Sequence, residues 1–382
     1  MSVVYLDWNA TTPPHPSVIE AMRAAWDAGW ANPASVHGPG RRARGHVERA
    51  REAVAALTGF DARDVTLTSG GTEANNLALC HAFDGDLASS ALVVSRIEHP
   101  SVVQAALHLG DRGVHVEWVD PEPTGRVSPD RVEDAIARAS QGRVVRLVAL
   151  QAVNHETGVI QPVAEVAAIA HACGARLHVD AVQAVGKLAP EVWSGADLIS
   201  VAAHKIRGPK GIGALATRPG VRLRPLLFGG AQERGARPGT QDPAAAAGFA
   251  AAAERARGAP GAHARLAALR DALEAGLFAA GAACGVTPLA NACAERAPHV
   301  ANLSFPGWRG DELCAALDLE GVAVSSGSAC AAGTAEPSPV LRAMLGDTRA
   351  RSAVRASLGE ETTADDIAEA LRRWRRVLER RR

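Results

Sequence analysis

The order of apolar and polar positions along the chain predicts a sheet whose strands are separated by helices. Between residues 41 and 212, apolar residues at helical spacing alternate with short β-branched runs. The predicted helices are 45–57, 72–80 and 100–109, and the predicted strands are 65–68, 91–95, 114–119, 146–150, 176–179, 197–201 and 213–216. Strands joined by helices of this length imply right-handed crossovers, so we expect an α/β fold with a mostly parallel central sheet. Runs such as LVAL and LISV are apolar on both faces, as is typical of strands that helices cover on both sides.

The pattern changes after Phe228, where the stretch GGAQERGARPGTQDP has no periodicity and predicts an ordered loop. Alanine-rich helices are predicted at 243–257 and 262–280, and strands of a smaller α/β unit near 300–305 and 322–325. We therefore predict two domains. The large domain comprises residues 15–257, and the small domain comprises residues 1–14 together with 258–382.

Composition limits the classes of function that this chain can have. Of its 382 residues, 47% are apolar and 21% are charged, which is typical of a folded protein. Lys plus Arg equal Asp plus Glu at 41 each, so the net charge gives no general attraction to nucleic acid or to an anionic membrane. The first residues lack a basic segment followed by a long apolar run, and no apolar run approaches the ~20 residues of a membrane span. We expect a cytoplasmic protein.

The spacing of the six cysteines predicts neither a metal site nor a disulfide framework. None is part of a C-x-x-C pair or has metal-ligand spacing with histidine, so no metal is expected. Five of them lie in alanine-rich or loop contexts where a buried thiol is the ordinary interpretation. Cys330 differs because it lies in SSGSACAA, a stretch of small residues with no apolar neighbours to bury it. An exposed thiol among small polar residues is a candidate for chemistry, with a core cysteine as the alternative.

Five predicted strands each end in polar or glycine-rich residues. The segments that follow them are SGGTE from residue 69, EHP from 98, NHE from 154, DAVQ from 180 and HK from 204. Ligands of open parallel sheets bind outside the carboxyl ends of the strands, so these segments predict one site. In the first of them, Gly70 and Gly71 allow the backbone to approach a ligand, and Thr72 begins a helix whose N–H groups suit a phosphate. A plain helix cap is the alternative for this turn.

Asp180 and Lys205 end neighbouring strands and indicate pyridoxal phosphate. A carboxylate pairs with the pyridinium nitrogen of this cofactor, and a lysine binds it covalently. The protonated ring then serves as an electron sink. A structural ion pair between the two residues is the alternative, but such a pair is costly at buried strand ends.

Nine segments of this chain resemble those of the cysteine desulfurases, a family of the class V branch of the aminotransferase fold. They run from Tyr5 to about Gly359 in the family's order, and they are YLDWNATT, TSGGTEANNLA, EHPSV, VNHETGVIQPV, VDAVQAVGK, HKIRGPKGIGAL, RPGTQDP, SSGSAC and VRASLG.

This resemblance implies a role for each matching residue. Lys205 matches the lysine bound to pyridoxal 5'-phosphate, Asp180 its ring-nitrogen partner, and Gln183 the donor to the ring hydroxyl. His99 matches an imidazole that stacks on the ring and can take part in proton transfer. The residues that match phosphate-binding positions are Gly71, Thr72, His204 and, from the other subunit of a homodimer, Thr240. Asn154 and Arg355 match groups that hold the substrate carboxylate, and Asn154 also belongs to the predicted cofactor site.

The chain departs from the family at Ala202, where relatives commonly have a serine that binds the phosphate. One phosphate hydrogen bond is therefore lost or replaced by water or backbone. The lysine and the acid are unaffected.

The resemblance implies that Cys330 is the nucleophile that takes sulfur from L-cysteine as a persulfide, leaving L-alanine. An acceptor protein, either an iron–sulfur scaffold or a thiolation carrier, would then remove the sulfur. A class V aminotransferase or a selenocysteine lyase would use the same cofactor, and a non-catalytic scaffold is the alternative of a different class. The presence of Lys205, Asp180 and Cys330 speaks against a scaffold.

Overall fold

The structure is a computed structural model that describes residues 3–292, 295–327 and 336–380. Its strands, numbered along the chain, are β1 Val4–Tyr5, β2 Val65–Thr68, β3 Ser90–Ser95, β4 His115–Val119, β5 Val144–Ala149, β6 Arg176–Asp180, β7 Leu198–Ala202, β8 Gly213–Thr217, β9 Leu289–Ala290, β10 Val300–Ser304, β11 Val322–Ala323 and β12 Ala353–Ser357. Its helices are α1 Pro16–Ala28, α2 Gly38–Thr58, α3 Gly71–Cys80, α4 Pro100–Asp111, α5 Pro129–Ala139, α6 Val163–Ala172, α7 Pro243–Ala256, α8 Ala259–Ala264, α9 Leu266–Ala283, α10 Gly310–Leu319, α11 Pro339–Leu345, α12 Asp347–Arg351 and α13 Ala364–Glu379.

The central sheet has the strand order β2-β8-β7-β6-β5-β3-β4. Strand β8 is antiparallel to both of its neighbours, and the other pairs are parallel. The prediction of an α/β fold with a mostly parallel sheet is confirmed. The carboxyl ends of β2, β3, β5, β6 and β7 therefore lie along one edge, where the polar segments follow them.

Helices cover both faces of this sheet because its strands are apolar on both sides. Within β3, Val93 packs into a core that also contains Val54 of α2 and Phe249 of α7. The neighbouring Leu92 points to the opposite face and packs with Leu77 of α3. The period-two alternation of side chains along a strand thus supplies two separate cores.

Helix α2 begins earlier than the 45–57 predicted from periodicity. Its N-cap is His37, whose Nδ1 accepts a hydrogen bond from the Gly40 N–H group at 3.2 Å, and a proline stands in its first turn. Residues 38–44 read GPGRRAR and lack apolar periodicity, so the pattern carried no signal for this turn.

The C-terminal part of the chain forms a second unit around the antiparallel sheet β12-β10-β9. Its core includes Leu277 of α9 and Trp374 of α13, and the Trp374 ring stacks on Phe305 at 5.6 Å. Strand β1 pairs with β11 in parallel, which joins the N-terminal residues to this unit. The division into residues 15–257 and residues 1–14 with 258–382 stays a prediction. A bilayer-spanning length of apolar helix does not occur among the helices described.

Candidate active site

One cavity lies at the carboxyl edge of the central sheet and gathers residues from the strand ends. The predicted site residues that line it are Gly71, Thr72, His99, Asp180, Gln183, His204, Lys205 and Arg355. Most of them follow strands β2, β3, β6 and β7, as the sequence predicted, whereas Arg355 comes from β12 of the second unit. The cavity is therefore bounded by both parts of the chain.

The turn between β2 and α3 forms the end of the cavity that suits an anion. Gly70 precedes the helix, and no side chain of the described chain caps the N-terminus of α3. The first N–H groups of a helix then carry partial positive charge without a side-chain acceptor. A Cβ atom on Gly71 would lie 3.0 Å from Val182 Cγ2, so glycine keeps this cradle open. Thr72 lines the cavity at this turn, and His204 lines it from the short turn that follows β7.

Asp180 supplies a buried carboxylate to the same cavity. Its Oδ2 accepts a hydrogen bond from Asn75 Nδ2 at 2.8 Å, and its Oδ1 accepts one from the Val182 N–H group at 3.0 Å. Both donors are neutral, and the residues described form no ion pair with this carboxylate. A buried negative charge without a cationic partner suits the protonated nitrogen of a ligand ring. The cavity thus fits a cofactor that has a phosphate at one end and a cationic ring nitrogen at the other.

Lys205 lies just after β7, in the short turn Ala203–Lys205. Its Nζ donates hydrogen bonds to the carbonyl oxygens of Asn9 and, at 2.8 Å, Ala10. The Asn9 carbonyl also accepts from Gln183 Nε2 at 3.0 Å. The loop after β1 therefore positions both residues.

His99 is a neutral imidazole whose tautomer follows from its contacts. Burial, together with the nearby His155, lowers its pKa to about 4. Nδ1 accepts a hydrogen bond from the Ser101 N–H group at 3.2 Å, which assigns the ring hydrogen to Nε2. The His99 ring meets that of His155 edge-on at 5.3 Å. Near neutral pH, His99 therefore offers a donor at Nε2 rather than a positive charge.

Arg355 is almost fully buried in β12 and is held on two sides. Its Nη2 pairs with Asp7 Oδ1 at 2.6 Å, and its Nη1 donates to the His155 carbonyl at 3.0 Å. Its Nε has no hydrogen-bond partner among the residues whose positions are described. Nη1 and Nη2 each carry a second N–H group, so the guanidinium keeps donors for a ligand carboxylate.

Two of the predicted site residues that the structure describes, Asn154 and Thr240, are not part of the cavity lining. Asn154 is fully buried, and its side chain donates to the Ile97 carbonyl and accepts from the backbone of Glu156 and Thr157. Thr240 is exposed in the loop before α7. Cys330 lies outside the described residues. The predicted roles of these three residues stay predictions.

Sequence reasoning missed the residues that hold the predicted ones in position. Asn9 ties the two units together, because its Nδ2 donates to the His155 carbonyl and its Oδ1 bonds His299 Nε2 at 3.0 Å. Asn75 holds Asp180, and Ser101 holds His99. The segments YLDWNATT, TSGGTEANNLA and EHPSV contained these residues, but only the folded chain brings them beside their partners.

Comparison with known proteins gives one consistent result. The family model described as aminotransferase class-V matches residues 4–370. A protein of Gluconacetobacter diazotrophicus named cysteine desulfurase is 40% identical over 97% of this chain and 92% of its own length. A protein of Anaeromyxobacter sp. named cysteine desulfurase IscS is 40% identical over 97% of this chain and 91% of its own. A solved structure titled NifS-like protein has a TM-score of 0.88 and 32% identity, and the match covers 99% of both chains.

Proposed function

Because the chain belongs to the class V aminotransferases and, among these pyridoxal-phosphate enzymes, to the cysteine desulfurases, we propose that it removes sulfur from L-cysteine in this cavity. The products are L-alanine and a persulfide on Cys330. The observation that carries the proposal is the combination of Asp180 and Lys205 at neighbouring strand ends with an uncapped helix terminus at the same cavity.

Pyridoxal phosphate, when bound, supplies a protonated ring that accepts the electrons released at the Cα atom of an amino acid. Four residues of this chain would hold the cofactor: one at the ring nitrogen, two at the phosphate, and one through a covalent bond. Asp180 keeps the negative charge that the ring nitrogen needs, and Lys205 Nζ makes the covalent bond. Thr72 and His204 bind the phosphate together with the N-terminus of α3.

Four residues, one of them Lys205 again, bind the substrate or move its protons. Arg355 binds the cysteine carboxylate, and Asn154 supports it through the 154–157 turn, whose His155 carbonyl accepts from Arg355. The Lys205 Nζ amine would take the Cα proton of the substrate. His99 Nε2–H then serves as a nearby donor, because Nδ1 is already occupied by the Ser101 N–H group.

Cys330 receives the sulfur. Its thiolate attacks the substrate sulfur, the carbon–sulfur bond breaks, and a proton replaces sulfur on carbon to give alanine. The persulfide then passes to an acceptor protein, an iron–sulfur scaffold or a thiolation carrier, in the cytoplasm. The relative named cysteine desulfurase IscS supports the first kind of acceptor.

The enzyme acts as a homodimer. Several large apolar side chains are exposed on this chain, among them Trp30 at 74%, Val36 at 84% and Phe228 at 91%. A second copy that covered them would remove this apolar surface from water. Thr240 is exposed in the same loop region as Arg237, and Arg237 pairs with Glu73 of α3 at 3.0 Å. The family resemblance implies that Thr240 reaches the phosphate in the partner's cavity, and its exposure leaves it accessible to a partner.

The test is to give purified protein L-cysteine with pyridoxal phosphate and a thiol reductant, and to measure alanine and sulfide. We expect equal amounts of both from the wild type and neither from Lys205→Ala. Lys210→Ala is the matched control, because Lys210 is exposed in the segment that follows and is expected to keep full activity.

Two other outcomes would contradict this proposal and indicate a related activity instead. Alanine turnover that requires a keto acid and yields no sulfide would indicate an aminotransferase. Activity on selenocysteine without activity on cysteine would indicate a selenocysteine lyase.

A further inference from the structure

The chain uses lysine at only three positions, although Lys and Arg together number 41. Lys205 lines the cavity and Lys210 is exposed. Lys187, the third, is buried with 4% exposure, in the turn that follows β6. An arginine stays charged when it is buried, whereas a lysine can lose its proton. At the buried position 187, lysine can therefore supply a neutral amine, which an arginine could not.

The surroundings of Lys187 favour its neutral form. Burial, together with the positive charges of Lys205 and Arg355, lowers its pKa well below the usual value. His263 and His299 line a small cavity with Lys187, and Glu360 and Arg207 lie at the same cavity. Across the described ranges, no carboxylate forms an ion pair with Lys187, and its hydrogen bond goes to Gln183 Oε1 at 2.6 Å. Lys187 therefore serves as a hydrogen-bond donor rather than as a charge.

Two contacts together determine how the Gln183 amide is oriented. Its Nε2 donates to the Asn9 carbonyl at 3.0 Å, and its Oε1 accepts from Lys187. The reversed orientation would set Oε1 against the Asn9 carbonyl, and two acceptors repel each other. Since one Nε2–H group is used by Asn9, the other remains for a ligand in the cavity that Gln183 lines.

We propose that Lys187 is a positioning residue that holds the Gln183 amide with its second Nε2–H group available to the ring oxygen of the cofactor. This inference rests on the proposed role of Gln183 as the donor to that oxygen. Without the Lys187 donor, the buried Oε1 loses its partner, and the amide turns to recover one. The ring oxygen then loses a donor that favours its anionic form.

The experiment measures the pH midpoint at which the visible absorption of the bound cofactor changes. Lys187→Met removes the donor, and we expect the midpoint to rise by about one pH unit. Lys187→Ala is the second variant and serves if the methionine variant does not fold. Lys187→Gln keeps a neutral N–H donor, and it should return the midpoint to the wild-type value.

A double variant separates positioning from a merely structural role. Gln183→Ala alone should raise the midpoint as well, and adding Lys187→Met to it should raise the midpoint no further. Equal midpoints in wild type and Lys187→Met, or full additivity in the double variant, would overturn the inference while leaving the proposed function intact. A wild-type protein that takes up no pyridoxal phosphate would overturn both.

Discussion

Glu98 and His99 are neighbours in the segment between β3 and α4, and burial favours the neutral form of both side chains. Burial, with Asp180 nearby, raises the pKa of Glu98 to about 8, whereas burial lowers that of His99 to about 4. With both of these groups neutral, Asp180 is the carboxylate in the described lining of the cavity that can face a cationic ring. The segment EHPSV indicates no role for Glu98, and the burial of this residue could not be inferred from the sequence.

Glu98→Gln tests this assignment through the pH dependence of stability. The folded state holds the Glu98 proton more tightly than the unfolded state, so stability of the cofactor-free wild type should decline as the pH rises from about 5 to 8. Because a glutamine side chain has no proton to lose, the melting temperature of the Glu98→Gln variant should decline less over this range. The exposed Glu133→Gln should behave as the wild type. If the melting temperatures of the wild type and of Glu98→Gln declined equally over this pH range, the account would be contradicted.

Ala202→Ser tests whether a phosphate ligand is missing from this chain. Ala202 is buried, lines the cavity and ends β7 beside His204. A hydroxyl there would add a charge-assisted hydrogen bond, and we expect the dissociation constant of pyridoxal phosphate to fall about tenfold. The neighbouring Ala203→Ser, which is buried in the core away from the cavity, should give no such gain. Unchanged affinity in Ala202→Ser would show that the phosphate does not approach this position.

At the scale of elements, the strands of the central sheet could be predicted almost residue by residue. Strands β2, β3, β7 and β8 are short, fully buried runs of four to six residues, so their apolar pattern is strong. The start of α2 was missed because caps and glycines, rather than apolar spacing, determine it. The supporting roles of Asn9 and Asn75 could not be predicted because their partners, Gln183 and Asp180, are distant in the sequence. The role of Lys187 depends on the direction of its side chain, which the sequence pattern does not give.

The N-terminus of α3 is the element on which phosphate binding depends most. Gly71→Ala would bring a Cβ atom to 3.0 Å from Val182 Cγ2 and into the cradle. We expect the affinity for pyridoxal phosphate to fall about tenfold while the melting temperature of the cofactor-free protein changes little. Gly45→Ala is the matched control, because Gly45 is an exposed helical glycine with nothing within 4 Å of the added Cβ. It should raise stability by about 1 kcal/mol or less and leave cofactor affinity unchanged. Equal affinities in the two variants would contradict a phosphate site at this turn.

At the scale of the whole molecule, a homodimer with shared sites predicts complementation between two inactive variants. Lys205→Ala lacks the covalent lysine, and Thr240→Glu brings a negative charge towards the partner's phosphate. When the two chains are co-expressed, each mixed dimer has one site with an intact Lys205 and an intact Thr240. We expect about a quarter of the wild-type activity from a random mixture. Activity no greater than that of the separate variants would show that Thr240 does not act across a dimer.

The central claim is that the cavity delivers the sulfur of cysteine to Cys330. Mass analysis of the cofactor-loaded protein after treatment with L-cysteine, followed by peptide mapping, tests it most directly. The account predicts one added sulfur atom on the peptide that contains Cys330, matched by one alanine released per chain, and no added sulfur in Lys205→Ala. Sulfur on another cysteine, or Cys330→Ser protein that still releases alanine and sulfide at the wild-type rate, would contradict it.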